Sequence, residues 1–258
     1  MVEQGNKKGT VALVGAGPGD PELMTLKGVR LLQVADAVVY DALISPEILA
    51  HVAPAAERHF VGKRGGSHYV PQEETNELLL ELASRWDLVV RLKGGDPYLF
   101  GRGAEEEAFL RSHGVGVQVV PGVTSAVAVP AAVGIPLTHR DCASAVVIAT
   151  GHHRGDNCCD PLDWAQIGAL GATVSVLMGV RRLPEIVGGL MAGGRSAETP
   201  AALIQWGTTE RQREVFATLG TIAEEARQAG LGAPSVLVVG DVVHHGYSGL
   251  EQAPSAPR

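Results

Sequence analysis

The stretch DLVVRLKGGDPYLFGRGAEEE, residues 87–107, sets the fold of the chain. Its first part is β-branched and apolar and predicts a buried strand over 87–95 that runs into glycine. Residues 103–114 then show a helical pattern, with acids at the start and a glycine after the end. A strand, a glycine turn and a helix form the repeating unit of a parallel α/β sheet.

The same alternation occurs along the whole chain. It predicts a mostly parallel sheet with helices on both faces, followed by a second set of elements. In the first half, the pattern predicts strands at 10–15, 36–41 and 117–122 and helices at 21–35 and 71–85. In the second half, it predicts strands at 144–150, 173–179, 200–205, 214–219 and 235–241 and helices at 181–192 and 220–229.

These elements predict an α/β fold of two domains with mostly parallel or mixed sheets. Residues 1–9 are expected to be a disordered start, and residues 10–122 the N-terminal domain. The small apolar segment 123–140 is interpreted as a linker that crosses between the halves. Residues 141–246 are expected to form the C-terminal domain, and residues 247–258 a disordered tail.

Composition narrows the class of protein. The chain has 258 residues, of which 45% are apolar and only 4% aromatic, so Val, Ala, Leu and Ile must build the core. The net charge is −7 and no segment is dense in Lys and Arg, which argues against nucleic acid as a partner. A polar N-terminus without a signal peptide and the lack of a long apolar run predict a protein with no membrane partner.

The cysteines and histidines indicate neither a disulfide framework nor a metal site. Cys142, Cys158 and Cys159 are odd in number and match no zinc spacing, so a reducing cytoplasm is expected. His139 and the pair at 152–153 show no paired spacing with acids or cysteines, so no metal is predicted.

The glycine loop GAGPGD, residues 15–20, follows a strand and precedes a helix. A dinucleotide fingerprint would sit there, but its third glycine would fall on Asp20, and Pro18 lacks a backbone N–H. No Gly-Lys-Ser/Thr ending is present, which excludes a P-loop. A plain strand-to-helix turn remains an alternative for this loop.

The second glycine loop, LKGGDP, residues 92–97, also ends a strand, where ligands bind in open parallel sheets. Gly94 and Gly95 allow a ligand close to the backbone, and Asp96 can accept a hydrogen bond from a hydroxyl or an amine. Asp96 can also cap the following helix, although that helix is predicted to start several residues later. Two glycine loops with one acid suggest a nucleoside without phosphates, a description that S-adenosylmethionine fits.

Several segments resemble, in order, those of the tetrapyrrole methylases. They are VALVGAGPGDPELMTLKG, ADAVVYDALIS, VGKRGG, RLKGGDPYLFGRGAEE, VVPGVTSA, GIPLTHRD, LMG and GTTERQ, which together cover about residues 10–243. KGGDPYLFGRGAEE and IPLTHRD are similar to the branch that acts on uroporphyrinogen III, whereas distant members of the family keep the first glycine loop better.

The resemblance implies a homodimeric enzyme that holds S-adenosylmethionine in the cleft between two α/β domains. It implies methylation of a small-molecule tetrapyrrole, uroporphyrinogen III, at C2 and C7, giving precorrin-1 and then precorrin-2, with S-adenosylhomocysteine as the second product. The product would enter siroheme, cobalamin or heme d1 synthesis. Because the first strand is predicted at residue 10, we expect no preceding dehydrogenase–chelatase domain of the kind found in siroheme synthases.

Family contacts with the methyl donor map onto a set of loop positions. For Leu99 and Met178 simple core packing is the alternative. The cofactor-binding set is Pro18, Gly94, Gly95, Asp96, Leu99, Thr124, Ser125, Met178 and Gly207.

The acidic substrate and its chemistry require cations and a proton acceptor. Arginine pairs bidentately with carboxylates, and the resemblance assigns Arg64, Arg102 and Arg140 to the substrate. A proton must leave the carbon beside the methylated position, so a placed base is needed. The resemblance gives Asp41 an acid/base role with Lys63 as its proton-donating partner, and it places Arg102 and Glu105 in the catalytic set.

Two features leave the catalytic assignment open. Glu105 can equally serve the dipole at the start of its helix. Many members of the family have arginine where this chain has Ala42, which puts an arginine-driven deprotonation there in doubt. Another precorrin methylase, a nicotinamide-dependent oxidoreductase and a non-catalytic S-adenosylmethionine-binding module are the alternatives.

Overall fold

The computed structural model describes residues 8–62, 71–152 and 162–246. The chain divides into two compact units, residues 1–124 and 125–258. The candidate residues Lys63 and Arg64 lie outside the described residues, as do Cys158 and Cys159. The predicted tail at 247–258 and most of the predicted N-terminal segment lie outside them as well.

The first unit is built on a parallel sheet with strand order β3-β2-β4-β1-β5. Its strands are β1 Thr10–Gly15, β2 Ala37–Tyr40, β3 Glu57–Phe60, β4 Leu88–Lys93 and β5 Gly116–Val120. Its helices are α1 Leu26–Val34, α2 Pro46–Leu49, α3 Gln72–Arg85 and α4 Gly103–Ser112.

Both faces of this sheet are covered, because successive side chains of a strand point to opposite sides. Ala12 and Val14 of β1 belong to a buried cluster with Leu32 of α1 and Ile48 of α2. The alternate residues of β1 belong to a second cluster with Leu79 and Leu82 of α3 and Leu110 of α4. The helices therefore cover both faces of the central strands, and the candidate residues lie in the loops that follow the strands.

The second unit contains a mixed sheet with strand order β6-β7-β10-β8-β9. Its strands are β6 Val146–Thr150, β7 Thr173–Leu177, β8 Pro200–Gln205, β9 Arg213–Thr218 and β10 Ser235–Val239. Its helices are α5 Ser125–Ala132, α6 Trp164–Ala169, α7 Leu183–Ala192 and α8 Ile222–Gln228. Only β6 and β7 run parallel; the other pairs are antiparallel.

The α/β fold class predicted from the sequence is confirmed, with local differences. The predicted helix 21–35 is broken into a 3₁₀ turn, Pro21–Leu23, and α1, because Thr25 caps a new helix start. The short elements β3, α2 and α6 carry too few residues to show a period. Helix α5 packs on β7 and β10, and the Ser175 hydroxyl donates a hydrogen bond to the carbonyl of Ala126 at 3.0 Å. Within the described ranges, no helix has the length and apolar character needed to span a bilayer.

Candidate functional site

The carboxyl ends of β1, β4 and β5 meet at one edge of the first sheet, because all of its strands run parallel. The backbones of Gly15, Gly95 and Gly122 pack against one another there, so closely that a Cβ on Gly15 or Gly122 would clash. A Cβ on Gly15 would lie 2.5 Å from the Cα of Gly122, and a Cβ on Gly122 would lie 2.2 Å from the carbonyl oxygen of Gly95. We call this packed backbone, in which Gly15 is buried and Gly95 and Gly122 are half-buried, the glycine floor.

The first glycine loop is tied directly to the second. The amide of Gly95 donates to the carbonyl of Gly17 at 2.7 Å, and the amide of Gly17 donates back at 3.2 Å. Gly17 (φ 79°) and Gly95 (φ 67°) have left-handed backbones that favour glycine. Pro18 is half-buried in this loop.

The first loop does not lead straight into an α-helix. The Asp20 carboxylate accepts a hydrogen bond from the amide of Glu22 at 2.8 Å and caps a 3₁₀ turn, and α1 begins only at Leu26. A dinucleotide fingerprint requires the pyrophosphate to face a helix N-terminus directly after the loop. This geometry argues against a nicotinamide dinucleotide.

Asp96 organises the second loop. One carboxylate oxygen accepts hydrogen bonds from the amides of Tyr98 at 2.8 Å and Leu99 at 3.1 Å, and the other accepts from the amide of Gly122 at 3.1 Å. Asp96 therefore fixes the shape of its own loop and joins it to the loop after β5. It does not cap α4, which begins at Gly103. Removing this carboxylate would leave three backbone donors without this acceptor at the glycine floor.

Asp41 follows β2 at the same edge of the sheet. The pairing of Tyr40 with Leu92 places Asp41 beside Lys93, and the Asp41 carboxylate accepts a hydrogen bond from the amide of Leu43 at 3.0 Å. A Cβ on Gly94 would lie 3.3 Å from the Cβ of Leu43, so the loops after β2 and β4 are in contact.

Gly62, the last described residue before Lys63, packs against Ala42. A Cβ on Gly62 would lie only 2.4 Å from the amide nitrogen of Ala42 and 2.9 Å from its Cβ. Gly62 immediately precedes Lys63, so the sequence continues toward Lys63 and Arg64 from a point packed against Ala42.

A buried cluster of charges lies below this edge. The Lys93 ammonium is 2.9 and 3.0 Å from the two carboxylate oxygens of Glu106, and the Arg91 Nε and the Gln72 amide lie 3.2 and 3.0 Å from one of them. Glu106 is 0% exposed. Burial lowers the pKa of Lys93, and the Arg91 charge lowers it further, whereas Glu106 and Asp41 act in the opposite direction.

This cluster was not predicted from the sequence. A signal for it was present, because Arg91 and Lys93 occupy alternate positions of an otherwise apolar strand and so face the same side of the sheet. Two buried cations require an acid nearby.

The exposed pair of the same βα unit is Arg102 and Glu105. The Arg102 guanidinium holds both oxygens of the Glu105 carboxylate, with an Nη2–Oε2 distance of 2.6 Å and Nε distances of 3.1 and 3.2 Å. The side chains are 34% and 45% exposed. Glu105 thus occupies the Nε and Nη2 donors of Arg102, and both side chains remain partly exposed to solvent.

Backbone strain concentrates in the loops that carry the candidate residues. A positive φ is rare for a residue with a side chain and costs on the order of 1–3 kcal/mol. In the described part of the chain, the non-glycine residues with positive φ are Phe100, Arg102, Met178, Trp206 and Thr208. The Met178 side chain is also 51% exposed, so packing in the core does not account for a methionine at this position.

The remaining candidates are placed as follows. Leu99 and Thr124 are half-buried in the first unit, and Ser125 is half-buried at the start of α5. Gly207 follows β8 and is buried, and a Cβ there would lie 2.4 Å from a methyl group of Val129. Arg140 is exposed and lines a surface cavity of about 270 Å³.

Comparisons with known proteins point in one direction. The family model described as Tetrapyrrole (Corrin/Porphyrin) Methylases matches residues 10–223. A uroporphyrinogen-III C-methyltransferase from Methanocaldococcus jannaschii is 48% identical over 92% of this chain and 97% of its own. A siroheme synthase from Stutzerimonas stutzeri is 52% identical over 91% of this chain, but this chain spans only about half of that relative's length.

A solved structure is also similar. The uroporphyrin-III C-methyl transferase from Thermus thermophilus, complexed with S-adenyl homocysteine, has a TM-score of 0.78 and 43% sequence identity. The match covers 92% of this chain and 99% of that one.

Proposed function

Because this chain belongs to the tetrapyrrole (corrin/porphyrin) methylase family, we propose that it methylates uroporphyrinogen III with S-adenosylmethionine as the methyl donor. Methyl groups enter at C2 and then at C7, giving precorrin-2 by way of precorrin-1, with S-adenosylhomocysteine as the second product. Precorrin-2 serves siroheme, cobalamin or heme d1 synthesis. The relatives named for uroporphyrinogen III and the relative with bound S-adenyl homocysteine support this proposal.

The glycine floor carries the proposal. Gly95 and Gly122 present half-buried backbone without side chains at the ends of the strands, and no α-helix N-terminus follows the first loop directly, so the floor suits a nucleoside without phosphates. When bound, S-adenosylmethionine supplies an electrophilic methyl group at its sulfonium. The chain's part is to orient the ligand on Gly94, Gly95 and the loop that Asp96 fixes. The other donor contacts in this proposal are Pro18, Leu99, Thr124, Ser125, Met178 and Gly207.

Arginines hold the acidic macrocycle. Uroporphyrinogen III carries eight carboxylates, and a protein with a net charge of −7 must neutralise them locally. The partly exposed Arg102 guanidinium, whose Nε and Nη2 bind Glu105 in this structure, is the group that we place against one of them. Arg140 and Arg64 are the further substrate contacts in this proposal.

Asp41 takes up the proton that leaves the substrate. Its carboxylate is held by the amide of Leu43 at the edge where β2 and β4 end, next to the buried ammonium of Lys93. Lys63 acts as its proton-donating partner. We further propose that residues 10–122 and 141–246 act as two domains joined by 123–140, and that the enzyme is a cytoplasmic homodimer.

Anaerobic incubation with S-adenosylmethionine and uroporphyrinogen III tests this function. The expected product has the absorbance of a dipyrrocorphin and the mass of two added methyl groups. A folded Asp96→Ala protein should lose most of this turnover. Methylation of precorrin-2 but not of uroporphyrinogen III would instead indicate another member of the family, and binding of a nicotinamide dinucleotide would indicate an oxidoreductase.

A further inference from the structure

A group of two histidines and one cysteine lies in the second unit. Ligand atoms of His139, Cys142 and His245 are all within 4.8 Å of one another, and Cys142 is a free thiol. No metal was predicted from the sequence, on the ground that His139 and the pair at 152–153 show no paired spacing with acids or cysteines. His245, which is remote along the chain, was not among the residues considered. In the described residues this is the one group of three with such spacing.

The turn that carries His139 and Cys142 is closed by the backbone. The amide of His139 donates to the carbonyl of Ala143 at 2.9 Å, and the amide of Ala143 donates back at the same distance. The amide of Cys142 also donates to the carbonyl of His139 at 3.3 Å. These hydrogen bonds hold the backbones of His139 and Cys142, which are three residues apart, in a fixed relative position.

His245 reaches this turn from a second fixed element. It ends the 3₁₀ turn Asp241–His245, whose residues Val242 and Val243 are buried in a cluster against which Cys142 packs. The rings of His139 and His245 stack with centroids 4.2 Å apart. One hydrophobic cluster thus supports both elements, while His245 itself remains exposed.

We propose that His139, Cys142 and His245 bind a borderline-soft divalent cation of the Zn²⁺ class. Thiolate and imidazole are the ligands that such ions prefer, and three protein ligands leave a fourth tetrahedral position for water. Zinc bonds of about 2.0–2.3 Å place ligand atoms roughly 3.5 Å apart, so binding requires the group to close and the stacked rings of His139 and His245 to turn until their nitrogens converge.

The amide and the carboxylate of Asp141 both lie on the Nδ1 side of the His139 ring. Its Nδ1 accepts a hydrogen bond from the amide of Asp141 at 3.3 Å and lies 3.9 Å from the Asp141 carboxylate. Binding of a metal at Nε2 requires the ring proton on Nδ1, so the contact of Nδ1 with the Asp141 amide has to open and the Asp141 carboxylate has to move closer than 3.9 Å to accept that proton. A carboxylate behind a ligating histidine fixes the ring and strengthens the metal bond.

Cobalt spectroscopy tests the proposal without relying on turnover, since Arg140 lies in the same turn. Tag-free protein carrying Cys158→Ser and Cys159→Ser is reduced and titrated anaerobically with Co²⁺. We expect one bound ion, with a thiolate-to-cobalt charge-transfer band and the strong visible bands of tetrahedral cobalt, both abolished by stoichiometric Zn²⁺. Cys142→Ser should remove the charge-transfer band, and His245→Ala should weaken Co²⁺ binding by at least about 100-fold, beyond the range for loss of an outer-shell partner.

His244→Ala is the matched control, because His244 is exposed on the same 3₁₀ turn and outside the group. It should leave both the spectrum and the affinity unchanged. The proposal is wrong if the reference protein shows no charge-transfer band, if Cys142→Ser retains it, or if His244→Ala weakens binding as much as His245→Ala. If Cys142→Ser fails to fold, the Co²⁺ affinities of His245→Ala and His244→Ala still test the proposal.

Discussion

Glu105 and Glu106 are neighbours in α4 with opposite environments. Glu105 is 45% exposed and pairs with Arg102, whereas Glu106 is fully buried among Lys93, Arg91 and Gln72. The helix turns by about 100° per residue, so adjacent side chains point in different directions. One acid therefore belongs to the accessible edge of the sheet and the other to its interior.

The buried Glu106 and the exposed Glu105 therefore differ in what their charges contribute to the protein. A buried acid whose partners remain is costly to remove, because two cations are left in an apolar interior. An exposed ion pair contributes little to folding, because solvent screens it and its side chains lose entropy on pairing. The buried group should therefore control stability, and the exposed group should control ligand binding.

Glu106→Ala should have the largest effect. It leaves Lys93 and Arg91 without their common carboxylate, and we expect a loss of about 3–5 kcal/mol in the free energy of unfolding. Urea denaturation followed by circular dichroism measures this loss. Glu105→Ala is the control and should change the free energy of unfolding by less than about 1 kcal/mol. Equal losses in the two variants would remove the distinction between them.

Arg102→Ala should lower methylation without unfolding the chain. A hydrogen bond to a charged group contributes about 1.5–3 kcal/mol, so we expect kcat/KM for uroporphyrinogen III to fall by roughly 10- to 150-fold. Arg227→Ala is a matched control, because Arg227 forms an exposed pair with Glu224 at 2.6 Å and the same spacing of three residues. A similar fall in kcat/KM for the control would mean that Arg102 acts only through surface charge.

Gly122→Ala should damage the glycine floor. The added methyl group meets backbone atoms of Gly95 and Gly15, and overpacking of this kind costs about 1–3 kcal/mol. We expect weaker S-adenosylmethionine binding by calorimetry together with this loss of stability. Gly188→Ala in α7 meets nothing within 4 Å and should instead stabilise the protein by up to about 1 kcal/mol. Unchanged donor affinity in Gly122→Ala would show that the donor does not lie on this floor.

The smallest expected effect concerns only the exposed ion pair between Arg227 and Glu224. Hydrogen bonds from Arg227 and Gln228 lower the pKa of Glu224 to about 2. Because the pKa is lowered in the folded state, the pair's stabilising contribution is complete above the ordinary value of 4.5 and is lost as the pH falls toward 2. NMR titration of Arg227→Ala should show the pKa of Glu224 moving back toward 4.5, and no movement would contradict the assigned cause.

The elements that could be predicted from the sequence are those with a regular spacing of apolar residues. The long strands of the first sheet and helices α3 and α4 were found because their apolar residues recur at strand or helix spacing. Strand direction in the second sheet carries no such signal: β10 inserts antiparallel between β7 and β8, and only tertiary pairing decides this.

The site was predictable to the level of loops but not of atoms. The glycines at 94 and 95 and the residue Asp96 were found as a ligand loop, yet the Asp96 carboxylate accepts hydrogen bonds from three backbone amides. Glu106 was missed because a glutamate in a helix ordinarily faces solvent. His245 was missed because no local pattern links it to His139.

The left-handed backbone of Arg102 has a consequence for directed evolution. Glycine or asparagine would relieve the strain at φ 58°, so a screen that rewards heat resistance alone should enrich them at this position. The same replacements delete the guanidinium. Libraries selected for thermostability should thus drift toward catalytically poor proteins at residue 102 unless turnover is selected in parallel.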